Sequence, residues 1–208
     1  MRIDWYFDVI SPYAYLQSHD LAGLAARTRI AMKPVLLAGL LNHWGQRGPA
    51  EIPPKRLFTY RHVRWLAAQR GLPMRMPAAH PFNPLRLLRL ACAAGDDLGA
   101  VRRIFAFVWE EGGDPHDAAA VIALGHAIGI ADPQAALSAP GVKQRLKDNG
   151  AEAIAAGVFG VPTVVVGGVV LWGQDAMPMV RAALDTPGLF ASADDARLAA
   201  LPVAASRL

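Results

Sequence analysis

Cysteine is nearly missing from this sequence: Cys92 is the single one among 208 residues. One thiol cannot close an intrachain disulfide or run dithiol redox chemistry, and it leaves too few thiolates for a zinc site. Long apolar runs are missing too. Although 53% of the residues are apolar, no run reaches the roughly 18–20 residues needed to cross a bilayer, so a soluble chain with no membrane partner is expected. The opening MRIDWYFDVI carries Asp4 and Asp8 inside its apolar stretch and has no small-residue cleavage site. It reads as a strand and not a signal peptide, and hence as part of a cytoplasmic protein. Charge is modest, with a net +4 and no basic run; that argues weakly for small anionic ligands and against nucleic acid. HExxH, P-loop and GxSxG patterns are absent, and His62, His116 and His126 show no ligand spacing. No metal is expected.

What is present has a clear order. A chain of this length can bury one sizeable core, or hold a small domain with a second one inserted. Arg2 to Phe7 alternates, with Ile3, Trp5 and Phe7 on one face and Asp4 and Tyr6 on the other, as in a half-buried strand. Ser11 as N-cap and Pro12 at the first helical position then open a helix expected to reach about Thr28. Ile30 to Leu37 is a second, β-branched apolar run, giving a βαβ unit with parallel pairing. From Gly39 to Gly141 the period becomes helical. Val101, Ile104, Phe105 and Val108 repeat on one helix face, as do Val121, Leu124, Gly125 and Ile128. Cap-plus-proline starts occur at Asn83-Pro84, Asp114-Pro115 and Asp132-Pro133.

Pro140-Gly141 opens a further helix ending near Phe159-Gly160. Thr163–Val166 and Val169–Trp172, joined by Gly167-Gly168, read as a two-residue β-hairpin. A last helix is expected over about Asp175 to Leu184. The fold class is therefore α/β: a thioredoxin-like domain over residues 1–38 and 142–190 with an all-helical insert over 39–141. Residues 191–208 read as a surface helix or frayed tail.

Four places can carry chemistry. Ser11 stands at a helix start, where unpaired N–H groups and the helix dipole favour an anion. It is either an ordinary cap or a hydrogen-bond donor to a ligand anion such as a thiolate, whose pKa a donor and dipole would lower. Phe159-Gly160-Val161-Pro162-Thr163 passes from helix to strand. Pro162 either simply starts the strand or follows a cis bond that leaves the Val161 backbone open for an extended ligand. Trp172, Gly173, Gln174 and Asp175 lead into the last helix; Asp175 is either its N-cap or the acceptor for a ligand ammonium. In the insert, Lys55 and Arg56 can hold a carboxylate, Phe82 can stack on a ring and Asn83 can hydrogen-bond it, though solvated charge and a helix cap explain them equally well. Cys92, on the apolar run Leu87 to Cys92, reads as a packing residue.

YFDVISPYAYL, PPKRLFTYR, HPFNPLRLLRLA, VFGVPTVVV and LWGQDAM, in this order from about Arg2 to Leu184, resemble the 2-hydroxychromene-2-carboxylate isomerases, relatives of the kappa-class glutathione transferases. The resemblance implies a homodimeric, thioredoxin-like enzyme that uses reduced glutathione on a small aromatic carboxylate. Ser11 matches the serine at the glutathione sulfur. Val161, before a proline that is cis in such proteins, matches the residue pairing with the cysteinyl unit, and Trp172 to Asp175 match the loop at the γ-glutamyl end. Pro53, Pro54, Lys55, Phe82 and Asn83 fall on the substrate side. Two departures stand out: Ala176 replaces an arginine or serine frequent in relatives, and Phe82 falls near the place of a tyrosine, with Lys55 the plausible counterpart of a substrate lysine. Two other readings remain beside the isomerase. One is a kappa-like transferase conjugating electrophiles; the other is a non-catalytic thioredoxin-fold module that binds peptides.

Overall fold

In the computed structural model, which describes residues 2–204, the amino-terminal alternation becomes strand β1 (Arg2–Phe7). Ile3, Trp5 and Phe7 are wholly buried on one side. The other side is not left to water. Tyr6 is only 3% exposed and packs with Val35, Leu40, Ala153, Val158 and Val161 in a second, smaller cluster. The expectation of a half-buried strand is corrected here: helices cover both faces, and on that side only the start of the strand meets solvent, with Arg2 exposed and Asp4 part-exposed.

Helix α1 (Pro12–Ser18) follows, then α2 (Leu21–Ala25) and strand β2 (Arg29–Pro34). One continuous helix to Thr28 was expected, but the chain breaks at His19-Asp20. The Asp20 N–H donates to Gln17 O at 2.9 Å, an i to i−3 bond that tightens the last turn. The Asp20 carboxylate then meets Arg70 at 2.9 Å and Arg181 at 3.5 Å.

The helical stretch comprises α3 (Leu37–His43), a 3₁₀ turn (Pro49–Glu51), α4 (Pro53–Gln69), α5 (Leu85–Ala94), α6 (Leu98–Trp109), α7 (Ala118–Ala127) and α8 (Pro133–Ser138). Asp132 caps α8 as expected, accepting from Ala135 N at 2.9 Å. Asp114-Pro115 makes a turn and not a helix start. Asp114 accepts from His116 N at 2.8 Å, and Asp117, three residues further on, takes the capping role for α7.

Helix α9 (Pro140–Ala155) ends four residues earlier than expected. Gly157, at φ +78°, supplies the left-handed residue, Gly157 N bonds Ile154 O at 3.0 Å, and Val158 N bonds Ala153 O at 2.8 Å. That bond pair is a Schellman C-cap. Strands β3 (Thr163–Val166) and β4 (Val169–Trp172) follow, then a 3₁₀ turn (Gln174–Ala176), α10 (Met177–Asp185) and α11 (Ala193–Ala199). Of the boundaries drawn from sequence, residues 1 and 205–208 lie outside the described residues.

The four strands form one mixed sheet in the order β2-β1-β3-β4. β1 and β2 are parallel from Arg2 opposite Arg29 to Phe7 opposite Pro34, while β3 is antiparallel to both β1 and β4. This is the thioredoxin-like α/β plan with helices inserted after β2. The inserted helices share the core of the sheet. Trp5 stacks on Phe7 at 4.3 Å between ring centroids, and Phe105 of α6 packs 6.0 and 5.7 Å from them. Val101, Ile104, Phe105 and Val108 are all wholly buried, as the periodicity requires. Among the described residues no helix is long and apolar enough to cross a membrane.

Candidate functional site

Ser11 connects β1 to α1. Its backbone is extended, Pro12 takes the first helical position, and Ser11 Oγ accepts from Ala14 N at 3.2 Å. It is therefore a cap. The hydroxyl hydrogen is not used by that bond, and Ser11 lines the large cleft while remaining only 6% exposed. Because α1 is seven residues long, its dipole is weaker than that of the expected longer helix, and the hydroxyl gains weight as the group that meets an anion.

The second element is the loop between α9 and β3. The Val161-Pro162 peptide is cis. Thr163 Oγ1 donates to Gly160 O at 2.8 Å, and Pro162 O accepts from Gly173 N at 2.9 Å. Among the described residues, no hydrogen bond engages the Val161 N–H or C=O. Gly160 is needed for close approach: a Cβ there would sit 2.8 Å from Trp172 Nε1.

The third element is Trp172 to Asp175. A buried relay fixes it: Trp5 Nε1–H donates to Gln17 Oε1 at 2.7 Å, and Gln17 Nε2–H donates to Gly173 O at 2.8 Å. Gly173 sits at φ +99°, a conformation that favours glycine. Asp175 does not cap the last helix. It lies within the 3₁₀ turn, makes no capping bond, and leaves its carboxylate exposed at the cleft. The capping alternative for Asp175 is thereby removed.

These three elements line a cleft of about 960 Å³ together with residues of α3, the 3₁₀ turn Pro49–Glu51, α4 and the segment before α5. Ser11, Val161, Pro162, Trp172, Gly173, Gln174 and Asp175 all line it, as do Lys55 and Phe82. Pro53, Pro54 and Asn83 do not. The two prolines open α4, and Asn83 Oδ1 accepts from Leu85 N at 3.0 Å, which makes it a turn former. Of the two basic candidates on α4, Lys55 reaches the cleft and Arg56 does not; His62, further along the helix, also lines it. Cys92 is 3% exposed on α5, away from the cleft, and burial pushes its thiol up to about 11. Among the described residues no group of three or more His, Cys, Asp or Glu could hold a metal ion.

Four lining residues carry chemistry that sequence reasoning did not assign. Asp8, wholly buried at the end of β1, accepts from Ile10 N at 3.0 Å and Leu37 N at 2.8 Å. Burial pushes its carboxyl up to about 7 against those bonds. Its one sequence signal was an acid at the close of an apolar strand. Tyr13 Oη lies 2.9 Å from His62 Nδ1. Tyr60 Oη lies 2.8 Å from His80 Nδ1, and His80 Nε2 lies 2.9 Å from Ile10 O.

A family model described as the DsbA-like thioredoxin domain matches residues 2–185. A curated 2-hydroxychromene-2-carboxylate isomerase of Sphingobium xenophagum is 28% identical over 190 residues, covering 88% of this chain and 97% of the relative. Glutathione S-transferase kappa 1 of Rattus norvegicus is 26% identical over 199 residues, covering 86% and 88%. Among solved structures, that of a selenomethionine 2-hydroxychromene-2-carboxylate isomerase superposes with a TM-score of 0.76 at 27% identity, covering 89% of this chain and 95% of that one.

Proposed function

This chain belongs to the DsbA-like thioredoxin domain family, and we propose that its cleft serves a glutathione-dependent isomerase. The reaction would interconvert 2-hydroxychromene-2-carboxylate and trans-o-hydroxybenzylidenepyruvate, or a related aromatic-degradation intermediate. The observation that carries this reading is the convergence of Ser11, Val161 and Asp175 on one cleft that Cys92 does not line. A hydroxyl with a free hydrogen, an unpaired backbone N–H and C=O, and an exposed carboxylate suit the thiolate, the cysteinyl amides and the γ-glutamyl ammonium of one tripeptide.

The sulfur is then the ligand's. Ser11 donates to it and holds it as thiolate. The hemiketal ring opens to the cis-enone, the thiolate adds to the enone carbon next to the aromatic ring while the electrons are taken up as the enolate, and the former double bond, now single, rotates. Elimination restores the double bond in the trans form and returns glutathione unchanged. A sulfur that is stabilised but not bonded to the protein suits both the addition and the departure. Lys55, which α4 brings to the cleft, suits the substrate carboxylate, and Phe82 suits its ring.

Mixing protein, glutathione and the chromene carboxylate, and following the ring-opened absorbance, tests the reading. Acceleration over glutathione alone is expected; equal rates with and without protein would refute it. The kappa transferase relative favours a second reading, conjugation of an electrophile, which consumes free thiol where isomerisation does not. The homodimer belongs to the same proposal: Leu57 and Trp65 on α4, 51% and 58% exposed, offer apolar surface that a second copy would cover. The cytoplasmic location belongs to it as well.

A further inference from the structure

The lining of the cleft holds a hydrogen-bonded pair, Tyr60 and His80, that the addition and elimination of a thiolate do not use. His80 Nε2 lies 2.9 Å from the backbone carbonyl of Ile10, the residue before Ser11. A carbonyl can only accept, so Nε2 carries a hydrogen. In neutral His80 the other nitrogen, Nδ1, is then an acceptor, and it faces Tyr60 Oη at 2.8 Å. Tyr60 Oη also lies 2.9 Å from the carbonyl oxygen of His80 itself. The tyrosine hydrogen therefore has two places to go. With His80 neutral it points to Nδ1; with His80 protonated, Nδ1–H donates to Tyr60 Oη and the tyrosine hydrogen turns to the carbonyl. Both protonation states are fully bonded, so the pair can take up and release a proton without losing a partner.

We infer that Tyr60, backed by His80, is the proton-transfer group for opening the hemiketal ring in this cleft. The inference rests on the isomerase reading. A 2-hydroxychromene carries a hydroxyl on the carbon that also bonds the ring oxygen. In opening, that hydroxyl gives its proton to Tyr60 Oη as Tyr60 passes its own to His80 Nδ1. The C–O ring bond breaks, its electrons go to the phenolate oxygen, and the carbonyl forms. The proton then returns from Nδ1 through Tyr60 to the phenolate. One proton leaves one oxygen and one arrives at another, and nothing else is consumed.

The surroundings fit a group that starts neutral. Burial holds His80 below the usual histidine range, partly countered by its bond to Ile10 and reinforced by Arg56. Its ring is packed edge-on against Trp109 at 5.5 Å and near Phe82 at 6.0 Å. The other charged or titratable side chains facing the same cleft are Asp8, Arg47, Glu51, Lys55, His62 and Asp175, together with Tyr13.

The test uses Tyr60→Phe and His80→Gln in the full chain with the chromene carboxylate and glutathione. Loss of a positioned acid–base group costs roughly 10²–10⁴-fold, so kcat is expected to fall at least 100-fold in Tyr60→Phe. The acidic limb of the pH profile should flatten, while KM for glutathione holds. A fall in kcat under threefold, or a matched rise in KM for glutathione with an unaltered pH profile, would overturn the inference and leave the pair a structural tie. Nitrogen NMR of labelled histidine decides the matter separately from turnover. If the wild type isomerises nothing, the isomerase reading fails and the catalytic role with it, yet the tautomer still reports on the pair. Retention of Nε2–H across the titration, with protonation entering at Nδ1, supports a proton-accepting pair; a neutral Nδ1–H tautomer overturns it.

Discussion

Replacing Ser11 with alanine removes two things that can be separated. The first is the cap: Ala14 N–H loses an acceptor at 3.2 Å, a long bond, so the stability cost should lie near the low end of the range for such losses, about 0.5–1 kcal/mol. For a chain of this size that lowers Tm by roughly 1–4 °C. The second is the donor to the ligand thiolate. A hydrogen bond to a charged group contributes about 1.5–3 kcal/mol, and about 1.4 kcal/mol corresponds to one pKa unit. The thiol of bound glutathione should therefore titrate about 1–2 units higher in Ser11→Ala, and the rate below that pKa should fall about 10–100-fold. Titration of the thiolate ultraviolet absorbance of the complex measures the loss of the donor directly, with Ser11→Thr as the variant that keeps a hydroxyl. An unchanged titration curve, with glutathione still bound, would refute the donor role and reduce Ser11 to its cap.

Three other outcomes follow from the geometry. Asp8, raised by burial from the ordinary 3.8 to about 7, binds a proton more tightly folded than unfolded. Its contribution is thus fully present below about pH 4 and lost as pH rises to about 7, of order 4 kcal/mol across the window. Urea midpoints of wild type should fall over that range and those of Asp8→Asn should not share this slope; parallel curves would contradict it. Gly160→Ala places a Cβ 2.8 Å from Trp172 Nε1, and because Trp172 is 54% exposed the ring should swing away without unfolding the chain. Tryptophan fluorescence should shift and glutathione affinity weaken, with Tm nearly unchanged. Gln17→Leu leaves the buried Trp5 Nε1–H and Gly173 C=O without their partner. Thermal unfolding should show a loss of roughly 2–5 kcal/mol, and a loss below about 1 kcal/mol would mean the relay is not holding the loop.

What could be read from the sequence was local. Gly167 and Gly168, at φ +57° and +86°, fix a two-residue hairpin whose register, Thr163 opposite Trp172, is as the alternation implies. The face of α6 was legible because its periodicity and its burial are the same fact. The break after α1 was not, since Asp20 is held by Arg70 and Arg181, far along the chain. Asp114 and Asp117 offer the same capping chemistry three residues apart, and the sequence pattern alone does not say that Asp114 closes a turn while Asp117 caps the helix. In the site, Ser11, Val161 and Asp175 announced themselves through neighbouring prolines and glycines. Asp8 and the pair of Tyr60 with His80 did not, because their roles come from contacts to Leu37, Ile10 and each other that exist only after folding.

The central claim is that glutathione enters this cleft as a reagent that is returned. Supplying the protein with glutathione at a tenth of the chromene carboxylate, and counting free thiol before and after conversion, tests it most directly. Substrate should be converted beyond the glutathione supplied, with the thiol count unchanged. Conversion that stops at one equivalent with loss of thiol, or none above the protein-free rate, would contradict it.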